Sequence, residues 1–378
     1  MPKIMFSVGE ASGDLHGANV VNAIKLICPD ARLFGMGGDK MREAGVDVAY
    51  DIKDLGVIGV VEVIKNLRRL FRLRDMLADL MDKEKPDVLV IIDYSEFNTR
   101  LAKIAQKKGI PIVSYISPSA WAWGRSRAKK VAETVNKVAA IFPFEAQIYQ
   151  EAGADVTFVG HPLLDIVKTT MSKEESRAHF DANPDAPLVL IMPGSRQQEI
   201  DNHLLPMLQA CRKIKEQIPG CQFYLPLAST ISREIIEEKM RECQISVRFA
   251  GGKVYDLMNI ADAAIVASGT AALEISLMRV PHVIIYKVAA VTYYIGRIVV
   301  KIPHIGLPNI IAGRKIMPEI LQYDINEEVI AKEVLAFLTD SETKAKALSD
   351  LDEVREKLGQ AGAVKRVAEL ILDIAKAH

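Results

Sequence analysis

Short apolar runs alternate with longer amphipathic stretches along the chain. Lys3–Val8 and Asp87–Asp93 predict strands, and the unbroken apolar run in the second is typical of a strand buried on both faces of a parallel sheet. A helix is predicted from about Leu15 to Leu26. Pro111–Ile116 and Val138–Phe142 continue the alternation, which indicates a doubly wound α/β domain.

The alternation restarts after a polar segment at 168–187, which is interpreted as a connection with a short helix inside it. The chain from Asn326 onward has a helical pattern throughout. A second set of strands is predicted at Leu188–Met192, Gln222–Leu225, Ser246–Phe249, Ala263–Ala267 and His282–Tyr286.

This order predicts an α/β fold with two Rossmann-like domains that face a central cleft. The expected domains are residues 1–167, residues 187–345 and C-terminal helices at 346–378 that pack back on the N-terminal domain. Because ligands of open parallel sheets bind at the carboxyl ends of the strands, the loops after the strands are the places to look for chemistry.

Composition narrows the class of protein. The chain has 378 residues with 48 basic and 48 acidic side chains, so a surface built wholly for nucleic acid is not expected. The four cysteines form no C-x-x-C pair, which argues against a zinc site or a disulfide framework. The N-terminal apolar stretch is too short for a signal peptide, and no apolar run reaches the roughly 18 residues needed to span a bilayer.

Two loops of the first half carry carboxylates directly after strands. Glu10 lies in the loop Gly9–Asp14, whose small residues would let a ligand approach the backbone, although a plain tight turn remains an alternative. Asp93 ends a buried run, where desolvation would raise its pKa and suit it to general base catalysis. Asp93 could instead cap the next helix, and Glu96 and Asn98 are rival candidates.

Three loops of the second half are suited to polar or phosphate groups of a ligand. The loop Met192–Arg196 ends in an arginine placed to hold phosphate, with Glu199 just beyond it, although a surface salt bridge is an alternative. The segment Ala267–Glu274 leads from a strand through Ser-Gly-Thr into a helix, which would offer backbone N–H groups to phosphate and Glu274 to ribose hydroxyls. An ordinary helix start without a ligand is an equal alternative. A third loop, Gly306–Arg314, holds Asn309 and is equally consistent with a turn.

The tryptophans, the histidines and the D-x-D motif give less information about function. Trp121 and Trp123 are followed by Arg125 and Arg127, and they suit either sugar stacking or core packing. His161 and His203 lack partners at metal-ligand spacing, so structural roles are favoured. No metal is predicted, because D-x-D occurs only within the helical C-terminal stretch.

A basic, amphipathic region at 57–80 has a net charge of +5 between residues 65 and 74. Basic side chains beside apolar ones suit an anionic lipid surface, although a core helix with a solvated basic face is an alternative. A weaker patch comprises Tyr293, Tyr294, Arg297 and Lys301. The residues predicted to contact the membrane are Val57, Ile58, Val60, Val61, Ile64, Leu67, Arg68, Arg69, Phe71 and Arg72.

Several loop motifs together resemble one family. SVGEASGD, IIDYSEFN, YISPSAWAW, FPFE, FVGHPLLD, MPGSR, ASGTAALE and LPNIIAGR occur in the order typical of lipid-A-disaccharide synthases, from residue 4 to about residue 320. The chain therefore resembles an inverting glycosyltransferase of the B-type, two-Rossmann-domain architecture. Tyr94-Ser95-Glu96 departs from the family's Ala-Pro-Asp, so the resemblance gives Glu96 no role.

The resemblance implies a reaction and its partners. The enzyme would join UDP-2,3-diacylglucosamine to 2,3-diacylglucosamine 1-phosphate, releasing UDP and forming a β(1→6) disaccharide without a cofactor or metal, so activity should persist in EDTA. It would be cytoplasmic and peripheral on the cytoplasmic face of the inner membrane.

The resemblance also implies residue roles. Asp93 would be the general base, with Glu10 in the catalytic glycine loop, and Arg196 would stabilise the donor phosphates. The residues implied in UDP binding are Ser195, Ser268, Gly269, Thr270, Ala271, Glu274 and Asn309.

Two other functions stay open from the sequence. A UDP-N-acetylglucosamine 2-epimerase shares this architecture but needs no lipid-facing patch. A catalytically idle lipid- or nucleotide-binding module would bind UDP without turnover and would give Asp93 no special role.

Overall fold

The computed structural model describes residues 1–55, 62–93, 95–117, 125–227, 231–288 and 303–378, with the backbone alone at 54–55, 62–68, 95 and 125. The chain divides into two compact units. The first unit is Met1–Asp165 together with Gly359–His378, and the second unit is Ile166–Leu358. The predicted class, two parallel-sheet α/β domains, is confirmed.

Within the described residues, the first unit contains a seven-stranded parallel sheet of order β3-β2-β1-β4-β5-β6-β7. Its strands are β1 (Lys3–Val8), β2 (Arg32–Gly37), β3 (Asp47–Asp51), β4 (Val88–Ile92), β5 (Ile112–Tyr115), β6 (Lys137–Ala140) and β7 (Val156–Phe158). Its helices up to the unit boundary are α1 (Ala11–Ile27), α2 (Asp39–Glu43), α3 (Glu62–Glu84), α4 (Ser95–Lys107), α5 (Arg125–Ala132), α6 (Pro143–Glu151) and α7 (Leu163–Ile166).

The second unit is built on a six-stranded parallel sheet of order β10-β9-β8-β11-β12-β13, counted over the described part of the chain. Its strands are β8 (Leu188–Met192), β9 (Gln222–Pro226), β10 (Arg248–Ala250), β11 (Ala263–Ala267), β12 (His282–Tyr286) and β13 (Glu319–Leu321). Its helices are α8 (Lys173–His179), α9 (Gln197–Gln217), α10 (Arg233–Cys243), α11 (Val254–Asn259), α12 (Thr270–Leu277), α13 (Leu307–Ala312), α14 (Glu327–Thr339) and α15 (Ser341–Lys357).

The C-terminal helices are shared between the units. The last helix, α16 (Ala363–Ala377), packs on α1 of the first unit. The Asp165 carboxylate accepts the backbone N–H groups of Gly362 and Val364, which fixes the start of α16. In contrast, α15 packs on α12, α13 and α14. The structure therefore divides the expected segment 346–378 at Leu358.

The central strands bring their loops together at one edge of each sheet. Every residue of β4 and β11 is buried, as their unbroken apolar runs predict. In the first sheet Val8 pairs with Ile92, and in the second Val266 pairs with Met192. Since parallel strands share a direction, the loops after β1 and β4 leave their sheet side by side, as do those after β8 and β11.

No helix in the described part of the chain has both the length and the apolarity required for a membrane span.

Candidate functional site

A cleft of about 550 Å³ lies at the carboxyl edge of the sheet in the second unit. It brings together nearly every residue of this unit that the sequence assigned to phosphate and nucleotide binding. The loops after β8, β9, β10 and β11 form its walls. The predicted residues on its lining are Ser195, Arg196, Ser268, Gly269, Thr270, Ala271 and Glu274.

The loop after β8 is shaped by a carboxylate from α9. The Glu199 side chain accepts the backbone N–H groups of Ser195 at 2.7 Å and of Arg196 at 3.1 Å. Gly194 has φ +120°, and a Cβ there would lie 2.3 Å from Glu199 Oε2, so only glycine fits this turn. Glu199 thus holds the loop and is itself part of the cleft lining.

Arg196 lines this cleft with a long, positively charged side chain. Its side chain is 82% exposed, and Nη1 lies 3.5 Å from Glu199 Oε1. An exposed ion pair at this distance contributes little to stability. The guanidinium is therefore available to an anionic ligand, which it can bind through two parallel N–H groups.

The loop after β11 lines the same cleft and leads into α12. Gly269 precedes the first helical residue, and a Cβ there would have no atom within 4 Å, so the approach to the backbone is open. The first N–H groups of a helix have no intrahelical partners and favour negative charge. Ser268 Oγ donates to the Ile305 carbonyl at 3.3 Å, which anchors the loop.

His203 holds the loop after β8 in place. The sequence favoured a structural role for His203 but did not reveal its partners. It is buried, with Nδ1 3.0 Å from the Pro193 carbonyl, and its Nε2 accepts the Lys287 N–H at 3.0 Å. Burial lowers the pKa of His203, which keeps the ring neutral as this pattern requires. The ring therefore ties the loop after β8 to the end of β12.

Asn309, which the family resemblance assigned to the nucleotide, has a side chain bonded within the protein. It is fully buried and absent from the described lining of the cleft. Its Nδ2 donates to the Met317 carbonyl at 2.9 Å and to Glu319 Oε1 at 2.7 Å, while Oδ1 accepts the N–H groups of Ile316 and Met317. The amide N–H groups and the carbonyl oxygen of this side chain are therefore all bonded within the protein.

Glu319 completes this buried network and was missed from the sequence. Its carboxylate accepts the backbone N–H groups of Ile305 at 3.1 Å and of Gly306 at 3.0 Å, besides the Asn309 amide. Asn309 and Glu319 together fix the segment that receives the Ser268 hydroxyl. They are connected to the cleft through the bond between Ser268 and Ile305.

Asp93 is fixed at the carboxyl edge of the first sheet. It follows β4 directly and has φ 53°, a left-handed conformation that aspartate adopts more readily than most residues. Its N–H donates to the Ile116 carbonyl at 3.3 Å, and its carbonyl accepts from Asn98 Nδ2 at 2.7 Å. An unusual backbone conformation held from both sides is typical of a functional position.

Asn98, a rival candidate, has a structural role here. It is 1% exposed, and its Oδ1 accepts from Ser7 Oγ at 2.6 Å. Its Nδ2 also lies 3.2 Å from the Ser7 carbonyl, so it joins the ends of β1 and β4. Glu96, the other rival, is exposed in the first turn of α4.

Glu10 follows β1 and therefore lies at the same sheet edge as Asp93. It is exposed and occupies the N-cap position of α1. Asp14 in the same loop is buried and accepts the N–H groups of Gly38 at 2.7 Å and Lys40 at 2.9 Å, which closes the N-terminus of α2. The loop thus pairs an exposed carboxylate with a structural one.

Glu145, from the FPFE motif, is a buried carboxyl group at the start of α6. It is 3% exposed, and its Oε2 accepts the Ile141 N–H at 3.2 Å. Burial raises the pKa of Glu145 to about 7, against the opposing effect of the Ile141 and Phe142 N–H groups. The group is therefore half-protonated near neutral pH.

We expect the free energy of unfolding to fall as pH rises through about 7, because Glu145 must then ionise in the interior. The folded pKa exceeds the ordinary value of 4.5, so the contribution of the neutral form is complete below that value and is lost above about pH 7. The loss is on the order of 1–3 kcal/mol. Thermal unfolding of Glu145→Gln at about pH 5 and pH 8 should show a smaller difference than the wild type, while the exposed control Glu151→Gln keeps the full difference. An unchanged difference in Glu145→Gln contradicts this.

The described part of the predicted membrane patch is exposed and cationic. Phe71 is 41% exposed, and the guanidinium carbons of Arg74 and Arg100 lie 5.1 and 6.0 Å from its ring centroid. Arg69 and Arg72 are exposed on the same helix. Predicted residues whose side chains lie outside the described part are Val57, Ile58, Val60, Val61, Ile64, Leu67, Arg68, Trp121, Trp123, Arg125, Tyr293, Tyr294, Arg297 and Lys301.

This chain is similar in sequence to known proteins over nearly its whole length. A family model described as lipid-A-disaccharide synthetase matches residues 4–374. A lipid-A-disaccharide synthase from Syntrophus aciditrophicus is 41% identical over 374 residues, covering 99% of this chain and 98% of the relative. One from Geobacter metallireducens is 41% identical over 372 residues, with 98% and 97% covered.

A solved structure of UDP-N-acetylglucosamine 2-epimerase from Neisseria meningitidis, bound to UDP-N-acetylglucosamine, has the same fold. Its TM-score is 0.68 at 12% identity, and 98% of this chain and 100% of that chain are covered. At this identity the likeness concerns the fold alone, and the full-length sequence relatives separate this chain from the epimerases.

Proposed function

We propose, from the premise that this chain belongs to the lipid-A-disaccharide synthase family, that the cleft of its second unit binds the UDP part of a diacylglucosamine donor. The chain is a glycosyltransferase that forms the lipid A disaccharide. The observation that carries the proposal is the convergence of Ser195, Arg196 and the segment 268–274 on one cleft. Their chemistry, a guanidinium, open helix N–H groups and a carboxylate, suits a diphosphate followed by a ribose.

The reaction needs a base and a stabiliser for the leaving group. In our proposal Asp93 takes the proton from the 6-hydroxyl of 2,3-diacylglucosamine 1-phosphate as that oxygen attacks the anomeric carbon of the donor. The bond to the diphosphate breaks with inversion, and negative charge develops on its oxygens. Arg196 and the N–H groups of residues 269–271 stabilise that charge. The products are the β(1→6) disaccharide 1-phosphate and UDP.

The direct test mixes purified protein with UDP-2,3-diacylglucosamine and 2,3-diacylglucosamine 1-phosphate and follows UDP and disaccharide by mass spectrometry. Both products should form at equal rates, with and without EDTA. A parallel incubation with UDP-N-acetylglucosamine alone should leave it unchanged. Absence of disaccharide, or epimerisation of the soluble sugar nucleotide, would refute the assignment, and loss of turnover in EDTA would refute metal independence.

The acyl chains of both substrates imply a lipid surface as partner. We propose that the patch around Phe71, Arg69 and Arg72 contacts an anionic membrane and that the enzyme is peripheral on the cytoplasmic face of the inner membrane. The support is an exposed aromatic ring among cations in the first unit. Each such charge near an anionic surface contributes about 1 kcal/mol.

Replacing Arg68, Arg69 and Arg72 with Ser should weaken binding to vesicles that contain phosphatidylglycerol by about 10- to 100-fold, because three attractive charges are lost. Co-sedimentation at fixed ionic strength measures this. Replacing the exposed Arg212, Arg241 and Lys332 of the second unit with Ser removes the same charge elsewhere and is the matched control. Equal losses in both triple variants would show a net-charge effect and remove the patch from the proposal.

A further inference from the structure

Tyr255 makes a hydrogen bond that connects a neighbouring helix to the cleft. Its hydroxyl donates to Glu274 Oε1 at 2.8 Å. Glu274 lines the cleft, whereas Tyr255 is on α11 and directly follows the lining residue Val254. Neither the sequence motifs nor the family resemblance gave Tyr255 a role.

The helix that carries Tyr255 is anchored independently of any ligand. The next residue, Asp256, is 1% exposed and accepts the N–H groups of Thr170 at 2.7 Å and Met171 at 2.8 Å, as well as the Thr170 hydroxyl at 2.7 Å. A carboxylate with three such bonds fixes its helix firmly. Tyr255 therefore offers its hydroxyl from a rigid support.

The phenol has the protonation state that this bond requires. Burial and the neighbouring Glu274 carboxylate raise the pKa of Tyr255, so its proton stays in place at all physiological pH values. A carboxylate accepts hydrogen bonds at both oxygens. With Oε1 held by Tyr255, Oε2 and the remaining lone pair of Oε1 can accept from a ligand without a search over side-chain rotamers.

We propose that Tyr255 is a positioning residue that aims the Glu274 carboxylate at the ribose hydroxyls of the bound nucleotide and so makes the cleft selective for ribonucleotides. The inference rests on the proposed function, in which Glu274 contacts the ribose. A flexible glutamate would gain less from each ribose hydroxyl, because ordering its side chain opposes binding.

The experiment compares UDP with 2′,3′-dideoxyuridine diphosphate by calorimetric titration. Wild-type protein should bind UDP more tightly than the dideoxy probe. Tyr255→Phe removes one hydrogen bond to a charged acceptor and should weaken UDP about 5- to 20-fold, while the dideoxy probe is nearly unaffected. The ratio of the two dissociation constants therefore falls towards one. In turnover assays the KM for the donor should rise with little change in kcat, as expected for loss of uniform binding.

Tyr224→Phe is the matched control. Tyr224 is a buried tyrosine of the same unit whose hydroxyl donates to the carbonyls of Phe180 at 3.0 Å and Asp181 at 3.2 Å, outside the cleft. Its loss should lower thermal stability and leave the ratio at the wild-type value.

Three outcomes distinguish failure of the positioning role of Tyr255 from failure of the proposed ribose contact of Glu274. If Tyr255→Phe weakens both probes equally, or neither, Tyr255 has a structural role and the inference is overturned. If Glu274→Ala removes the preference for UDP while Tyr255→Phe does not, the ribose contact stands and only the positioning role is lost. If Glu274→Ala leaves the preference intact, the ribose contact itself is wrong and the inference is overturned together with it.

Discussion

Asp93→Asn should lower kcat for disaccharide formation by about 100- to 10,000-fold, the contribution typical of one general base. The substitution removes the proton acceptor and keeps the size of the side chain. Asparagine adopts the left-handed region at least as readily as aspartate, so φ 53° is no obstacle. The bonds that hold this position run through the backbone N–H and carbonyl, and the substitution leaves both in place.

The readouts are single-turnover rate, UDP affinity and thermal unfolding. UDP affinity should be unchanged, because the proposed nucleotide contacts lie in the second unit, and the midpoint of unfolding should stay close to the wild-type value. Glu96→Gln is the matched control, since Glu96 is an exposed carboxylate at the start of the following helix. A catalytically idle binding module would show no difference between the two variants, and near-normal turnover in Asp93→Asn would remove the base from the mechanism.

A second comparison addresses Glu10, which emerges beside Asp93 at the same edge of the first sheet. Glu10→Gln separates the two carboxylates, because only the true base should produce the full loss while the other affects KM or has a smaller effect on kcat. If Glu10→Gln produces the full loss and Asp93→Asn does not, the roles are exchanged.

The strands that bear this chemistry were the ones best predicted from sequence. β1, β8, β11 and β12 have the predicted bounds, since a strand buried on both faces is a continuous apolar run with clear ends. β3 is an edge strand with an aspartate at each end, β13 is an edge strand of three residues that begins with a glutamate, and β2 contains two glycines, so none of them has that pattern. Their pairing depends on neighbours that are remote in sequence.

The residues of the candidate site likewise include some that could be predicted from sequence and some that could not. Arg196 and Glu274 could be predicted because a loop after a buried strand of a parallel sheet has a known location. The contacts of Tyr255, His203 and Glu319 depend on which distant groups meet after folding, and no local pattern records that. Asn309 shows the converse, because a polar residue in a loop motif is fully buried and serves the loop itself.

Arg196→Ala should lower kcat by about 100- to 1,000-fold, comparable to removing one preorganised donor from a site of developing charge. The effect should be larger on kcat than on UDP affinity, because the charge on the diphosphate oxygens grows as the bond to the sugar breaks. Arg196→Lys should recover part of the rate, since it restores a charge but not the planar pair of N–H groups. Neither variant should alter the unfolding midpoint, because the side chain is 82% exposed.

Arg212→Ala is the control with matched chemistry. Arg212 also pairs with a glutamate on α9, at 3.5 Å from Glu216, the same distance that separates Arg196 from Glu199. As ground-state ion pairs the two arginines are equivalent, and the exposed pair contributes little in either place. A large difference in kcat between the two alanine variants can therefore come only from what Arg196 meets during the reaction. Equal rates would mean that the N–H groups of residues 269–271 carry the leaving-group charge without it, and the arginine would have to be withdrawn from the mechanism.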